Sequence, residues 1–350
     1  MSLLAKVLEP PTYGYSRDGA LYVPSKKELF REFFSRLNVF RDRRNWLALW
    51  SWVSTLVHIV PFVLFLTVFF TWKLFLLAFV YSMVILGTHG TIWYHRYSTH
   101  RAYTFANRFW RFITRNLVVK MVPEELYVVS HHVHHWISEM PGDPYNVNGG
   151  FWYCFLADAI HQPINLNLTR EEYARATKLL EHTGMYLNTY EQYKKWGSIS
   201  HPGRTILHYV LNWAFWYGTF YLVGGHALAC TMFAATGFWG VGVRTFNFSG
   251  HGSGKDKRRD GIDFNRNDLS INQVWPGLIT GEWHNNHHLY PNGARAGFLP
   301  YQLDYAWWYI RGLSAIGAIT TYRDYTEDFF AKYYRPYQQR LMPPAGAKQT

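Results

Sequence analysis

The chain has 350 residues, 49% of them hydrophobic and 19% aromatic, and carries a formal net charge of +12; that length allows one large domain or two ordinary ones. Mean hydropathy is nevertheless slightly negative, so the apolar residues must be concentrated in runs, which argues against an ordinary soluble core. With such runs and no recognisable binding module, nucleic acid is excluded as the partner of the positive charge, leaving anionic lipid or an anionic substrate.

In chain order, residues 1–45 form a basic entry segment without the charged start, short apolar core and cleavage site of a signal peptide. Within it Phe30, Phe33, Phe34, Leu37 and Phe40 recur at helical spacing among Lys26, Lys27, Arg31, Arg36 and Arg41. That pattern suits an amphipathic helix, lying in the membrane interface or packed on the protein's own cytoplasmic part. Residues 46–70 and 74–94 are two apolar runs, each long enough to cross a ~30 Å bilayer core as a helix of roughly 20 residues. Only Thr71, Trp72 and Lys73 separate them, so they form a tight hairpin.

A block at 95–204 follows, in which "TREEYARATKLLEHTGMYLNTYEQYKKW" reads as an exposed helix capped by Thr169 with Glu172 three residues on. Residues 205–223 and 226–246 are a second pair of spans split by Gly224 and Gly225. Residues 247–313 return to the polar side, with "KDKRRDG" as a solvated basic loop, and 314–350 form a tail whose end, "PPAGAKQT", is expected to be disordered. Basic residues crowd the approach to the first span, while Lys73 is the one charge in the two short connections. Both termini and the bulk are therefore expected on the cytoplasmic side, of a bacterial inner membrane or an endoplasmic reticulum. Cys154 and Cys230 read as packing residues of a reducing compartment. The expected fold is an all-α integral membrane protein, with four transmembrane helices in two hairpins and a helical cytoplasmic cap.

Nine of the 17 histidines fall into a pattern. His95 and His100 stand in "HRYSTHR", His131, His134 and His135 in "HHVHH", His284, His287 and His288 in "HNNHH", and His251 in "NFSGHG". All follow directly from a span or lie in the polar blocks. The spacing H-x-x-H-H puts three imidazoles on one helical face, able to converge on a point. Nine nitrogen donors exceed what one ion takes, so two neighbouring metal ions are the economical reading. Ligand type alone does not choose among Fe, Zn, Cu and Ni. His58, His89, His208 and His226 read as hydrogen-bonded packing residues in or near spans, and His161, His182 and His201 as surface residues. His132 is the histidine too many: at about 100° per residue it lies on the flank of the face shared by His131, His134 and His135. The third cluster has Asn285 at the equivalent position, so a metal triplet does not require imidazole there.

On these residues the chain resembles the membrane-bound fatty acyl desaturases, in particular the stearoyl-CoA, Δ9-type branch. The three clusters match that family's histidine boxes, Asn247 to His251 matches its N-x-x-x-H element, and "SEMPGDPYN" resembles the acidic Asp-Pro stretch after its second box. The resemblance runs over about 46–313, within which 95–204 and 247–313 form the cap. It implies a di-iron (Fe2+) centre with His95, His100, His131, His134, His135, His251, His284, His287 and His288 as ligands and Asn247 acting through a water. One departure is local: Gly281, Glu282 and Trp283 stand where the family often has Gly-Glu-Gly. The implied activity is O2-dependent formation of a cis double bond in a long acyl chain, presented as acyl-CoA or on another carrier or lipid.

The chemistry fits the donors, because an unactivated methylene C–H bond is beyond any side-chain acid or base and needs a redox metal. The chain's task is then to hold the acyl chain in a narrow apolar tunnel beside the metals. With no flavin, haem, Rossmann or cytochrome b5 element in the sequence, electrons are expected from a separate donor such as cytochrome b5, ferredoxin or rubredoxin with its reductase. Two other readings remain open on the residues alone. The same centre can hydroxylate, and a metal transporter is conceivable, although the spans hold scattered His and Arg244 and no aligned carboxylates.

Overall fold

The long uncharged runs become long helices. In the computed structural model, which describes residues 2–257, 263–272 and 283–341, three helices are long and apolar enough to cross a membrane: Arg43–Phe69, Trp72–Thr99 and Pro202–Ser249. Phe70 and Thr71 join the first two, and the Thr71 hydroxyl caps the second by accepting the Leu74 N–H. The third has 48 residues, which as one straight rod would reach ~72 Å at 1.5 Å per residue. It is not one rod. Gly224 (φ −149°, ψ 23°) and Gly225 (φ 65°, ψ −165°) leave helical geometry, and the positive φ is one that glycine adopts without penalty. The chain folds back there: the Tyr217 and Phe233 rings are 5.5 Å apart, where a continuous helix would separate them by ~24 Å. Tyr217 Oη also lies 2.8 Å from His226 Nδ1 across the turn.

Other segments pack against these helices. The helix Lys26–Leu37 starts in a Ser25–Glu28 capping box and buries Leu29 and Phe33 against Ala48, Tyr153 and Ile160. One face of the helix therefore packs on its own protein, while Phe34 and Phe40 stay exposed. The stretch expected as one exposed helix is instead two short ones, Arg170–Thr177 and Tyr190–Trp196, each opened by a capping box and separated by Gly184 at φ 75°. Tyr173, Ala176, Leu180 and Tyr193 are buried beneath Val128, Val129 and Val133 of the helix Glu124–Trp136. Helical spacing in the sequence did not reveal that this face would be covered from another part of the chain. His161, expected at the surface, is fully buried, stacked 3.9 Å from Tyr153 with Tyr13 Oη 2.5 Å from its Nε2; the entry segment covers it.

Two small antiparallel ladders interrupt the helical plan among the described residues. One pairs Ser16–Arg17 with Ala20–Leu21, the other Tyr103–Phe105 with Ile319–Tyr322. The second brings the C-terminal part of the chain beside the first histidine segment. There Arg96 makes a buried ion pair with Asp304 at 2.9 Å and donates to the Ala294 carbonyl. Cys154 and Cys230 are free and buried. The loop 255–261 lies partly, and Gly281, Glu282 and the end 343–350 wholly, outside the described residues.

Candidate metal centre

The nine histidines come together, but not as one triplet per ion. One group contains His95, His100, His131, His135 and His287; the other contains His134, His251, His284 and His288. Within each, one donor atom per residue lies within 4.8 Å of all the others. Helix geometry explains the division. On Glu124–Trp136, His131 and His135 are four apart and share one centre, while His134 looks toward the other. On His284–Leu289 the arrangement is exchanged: His284 and His288 share the second group and His287 crosses to the first.

The first box obeys a different rule. His95 and His100 are five residues apart, which an α-helix would place about 140° around its axis. Here the backbone over Gly90–Thr99 is π-helical, and the His100 N–H donates to the His95 carbonyl at 3.1 Å. That i to i+5 turn restores a common face, and the two rings are 5.0 Å apart.

Backbone strain gathers around the same place. Among the described residues the non-glycine positions with positive φ are Asp18, Arg101, Glu139, Ser253 and Trp283. Arg101 follows His100, Ser253 lies two beyond His251, and Trp283 precedes His284; Glu139 lies four beyond His135. Each such conformation costs about 1–3 kcal/mol and persists where the surroundings impose it.

The donor set passes a direct fit test for metal. His284 Nε2 is 3.1 Å from both His251 Nε2 and His288 Nε2, and His135 Nε2 is 3.2 Å from His131 Nε2 and 3.0 Å from His287 Nε2. Two donors held ~2.1 Å from one ion at roughly 90–100° are about 3.0–3.2 Å apart. The His95, His100 and His134 Nε2 atoms are buried without a hydrogen-bond partner, a costly state unless a cation takes them. Carboxylates occupy the opposite side of several rings: His134 Nδ1 lies 2.9 Å from Asp143, His288 Nδ1 2.6 Å from Asp268, and His251 Nδ1 2.9 Å from Glu139. With Nδ1–H donated outward, as from His134 to Asp143, a ring turns its Nε2 lone pair toward its neighbours, an arrangement that a shared dication stabilises.

Electrostatics agree with that picture for most of the rings. Burial, then neighbouring imidazoles, hold His100, His131, His135, His284 and His287 well below the ordinary histidine range, ready to bind as neutral rings. Burial also depresses His251, but Asp268 and Glu139 outweigh it and hold that pKa up at about 10. Asp268 is driven down by His288 and His251 against its own desolvation. His132 belongs to neither group; its ring is 6.4 Å from that of His100, and burial pulls its pKa to about 4.

Asn247, four residues before His251, lines a cavity of ≈ 40 Å³ with His95, His131, His134, His251 and His284. That space takes small molecules of water size. Its apolar wall includes Gly90 and Trp239, and a Cβ on Gly90 would meet the Trp239 ring at 2.8 Å. Asp268 was not singled out from the sequence, and Glu139 and Asp143 were seen only as part of the stretch "SEMPGDPYN". The available signal was an acidic residue shortly after a histidine cluster; Asp268, far from any box, gave none.

A helical protein with membrane-length helices and two histidine groups of metal-binding geometry belongs to a narrow class. The family model described as "Fatty acid desaturase" matches residues 71–326, and the chain belongs to that family. It is 27% identical over 320 residues to the sn-1 stearoyl-lipid 9-desaturase of Synechocystis sp., covering 86% of this chain and 90% of that one. It is 26% identical over 334 residues to Delta-9 acyl-lipid desaturase 1 of Arabidopsis thaliana, covering 91% and 94%. The Acyl-CoA C20 Delta5-desaturase of Anemone leveillei is 28% identical over 284 residues, covering 77% and 82%. The chain is therefore an oxidoreductase of fatty acyl chains.

Proposed function

We propose that this protein introduces a cis double bond into a long acyl chain, using O2 and two ferrous ions. One ion is held by His95, His100, His131, His135 and His287, the other by His134, His251, His284 and His288, with Asn247 contributing through a water. The observation that carries this reading is the division of nine inward-facing imidazoles into two adjacent groups. When bound, the irons would supply the redox chemistry that takes two hydrogens from neighbouring methylenes, while O2, two further electrons and two protons end as two waters. The chain's own residues fix the ligand nitrogens, exclude bulk water from the cavity beside Asn247, and confine what reaches it. Gly90 and Trp239 form the wall that an incoming methylene must meet, so an acyl chain enters as neighbouring side chains move.

The same reading places four spans at about 46–70, 74–94, 205–223 and 226–246, with the histidines and both termini cytoplasmic. The fold-back at Gly224 and Gly225 supports a second hairpin, and the basic approach to the first span supports the orientation. Electrons come from a separate donor, of cytochrome b5, ferredoxin or rubredoxin type. The proposed carrier is coenzyme A, whose phosphates suit a basic surface. Relatives named for lipid-linked and for CoA-linked chains are 27% and 28% identical to this one, over 320 and 284 residues.

Mass-spectrometric fatty-acid profiling of cells with and without the gene tests the reaction. A new monounsaturated acid supports it; a hydroxy acid, or no change in a host with a competent donor, overturns it. Purified enzyme offered acyl-CoA and phospholipid in parallel tests the carrier. Conversion of phospholipid chains alone rejects coenzyme A.

A further inference from the structure

Three carboxylates stand behind the four-histidine group. Asp268 Oδ2 lies 2.6 Å from His288 Nδ1, while its Oδ1 is 3.6 Å from His251 Nδ1, near enough to add its charge but beyond hydrogen-bond reach. Glu139 Oε1 is 2.9 Å from His251 Nδ1, and Asp143 spans His134 Nδ1 at 2.9 and 3.0 Å. The backbone braces these acids in turn. Asp268 accepts the Ser270 N–H at 2.7 Å, and Asp143 accepts the N–H groups of Glu139 and Tyr145, both at 2.9 Å. Glu139 holds its place with φ at 60°, a conformation a glutamate adopts when its surroundings require it. Among the described residues, no ion pair joins a carboxylate to His95, His100, His131, His135 or His287.

This asymmetry has a physical consequence. A dication among five neutral imidazoles leaves its full charge in a buried site, whereas three nearby carboxylates compensate it. An acid at Nδ1 also fixes the tautomer and aims the Nε2 lone pair, an effect of about 10- to 100-fold in metal affinity per partner. We propose that the two metal positions are unequal: the four-histidine position is the tighter one, and Asp268, which holds His288 and sets its charge beside His251, is its principal positioning residue. The proposal rests on the two-ion reading above.

The test is stepwise removal of iron. Full-length protein in detergent, loaded with Fe2+ without oxygen, is equilibrated with rising concentrations of a ferrous chelator, and iron per chain is measured. Wild type should release its iron in two steps. His100→Gln should lose the weaker step and keep the tighter, which assigns them. Asp268→Asn should weaken the tighter step by about 10- to 100-fold and leave the other in place. Unchanged melting of the metal-free variant would exclude a merely structural effect, and Asp268→Glu should recover part of the affinity. If Asp268→Asn does not fold, Glu139→Gln, which touches His251 alone among the rings, should weaken the same step by less. One-step release of two ions by wild type, or an unmoved tighter step in Asp268→Asn, overturns the proposal and leaves the two-ion reading standing. Wild type that binds fewer than two ions overturns that reading itself.

Discussion

The five-histidine and four-histidine groups draw on the same helices and are built differently. The first gathers both histidines of the first box through a π-turn, adds an i, i+4 pair from the second box, and takes His287 from the third. The second takes a single ring from the second box, an i, i+4 pair from the third, and His251 from the end of the long hairpin. Donor number favours the first group, while the acids Asp143, Glu139 and Asp268 back the second alone. Counting histidines therefore does not describe the site; what stands behind each ring distinguishes two positions that look alike in the sequence.

The comparison can be broken at several strengths. The largest effect is expected from the metal itself: protein stripped of iron and loaded with zinc should form no unsaturated product, because zinc has no redox chemistry. Full activity of the zinc form in a gas-chromatographic assay would remove the basis for either group. Next in size, His131→Gln and His284→Gln should each abolish product while lowering iron by about one per chain, one from each group. Loss of all iron from either variant would mean that the groups are not separable.

Asp143→Asn should be milder, with metal affinity falling about 10- to 100-fold and with the loss confined to the four-histidine group, as followed by chelator competition. His132→Gln should keep much of the activity and nearly all the iron, since that ring joins neither group. Iron loss equal to that of His131→Gln would contradict the division. Smallest of all, Thr169→Ala removes the cap of Arg170–Thr177 and should cost about 1 kcal/mol in stability with iron content unchanged. That variant separates damage to the scaffold from damage to the site.

Much of the site was legible because it is written in spacing. H-x-x-H-H declares a helical face, and the four segments announced themselves by residue type alone. What spacing could not supply was the direction of each ring: neighbours such as His134 and His135 point about 100° apart and so serve different ions. The π-turn joining His95 to His100 has no compositional mark, and Asp268 sits in an irregular segment outside every box. In the fold, the apolar runs and the Gly224–Gly225 break were readable, since bilayer length and glycine are strong local signals. The burial of one face of 169–196 and of His161 was not, because it depends on which distant segment comes to lie on top of them.

The central claim is that the two groups hold one iron ion each. Anaerobic titration of metal-free, full-length protein with Fe2+ measures it directly. The account predicts saturation at about two ions per chain, the first bound more tightly than the second. Saturation at a single ion, or no specific uptake, would contradict it.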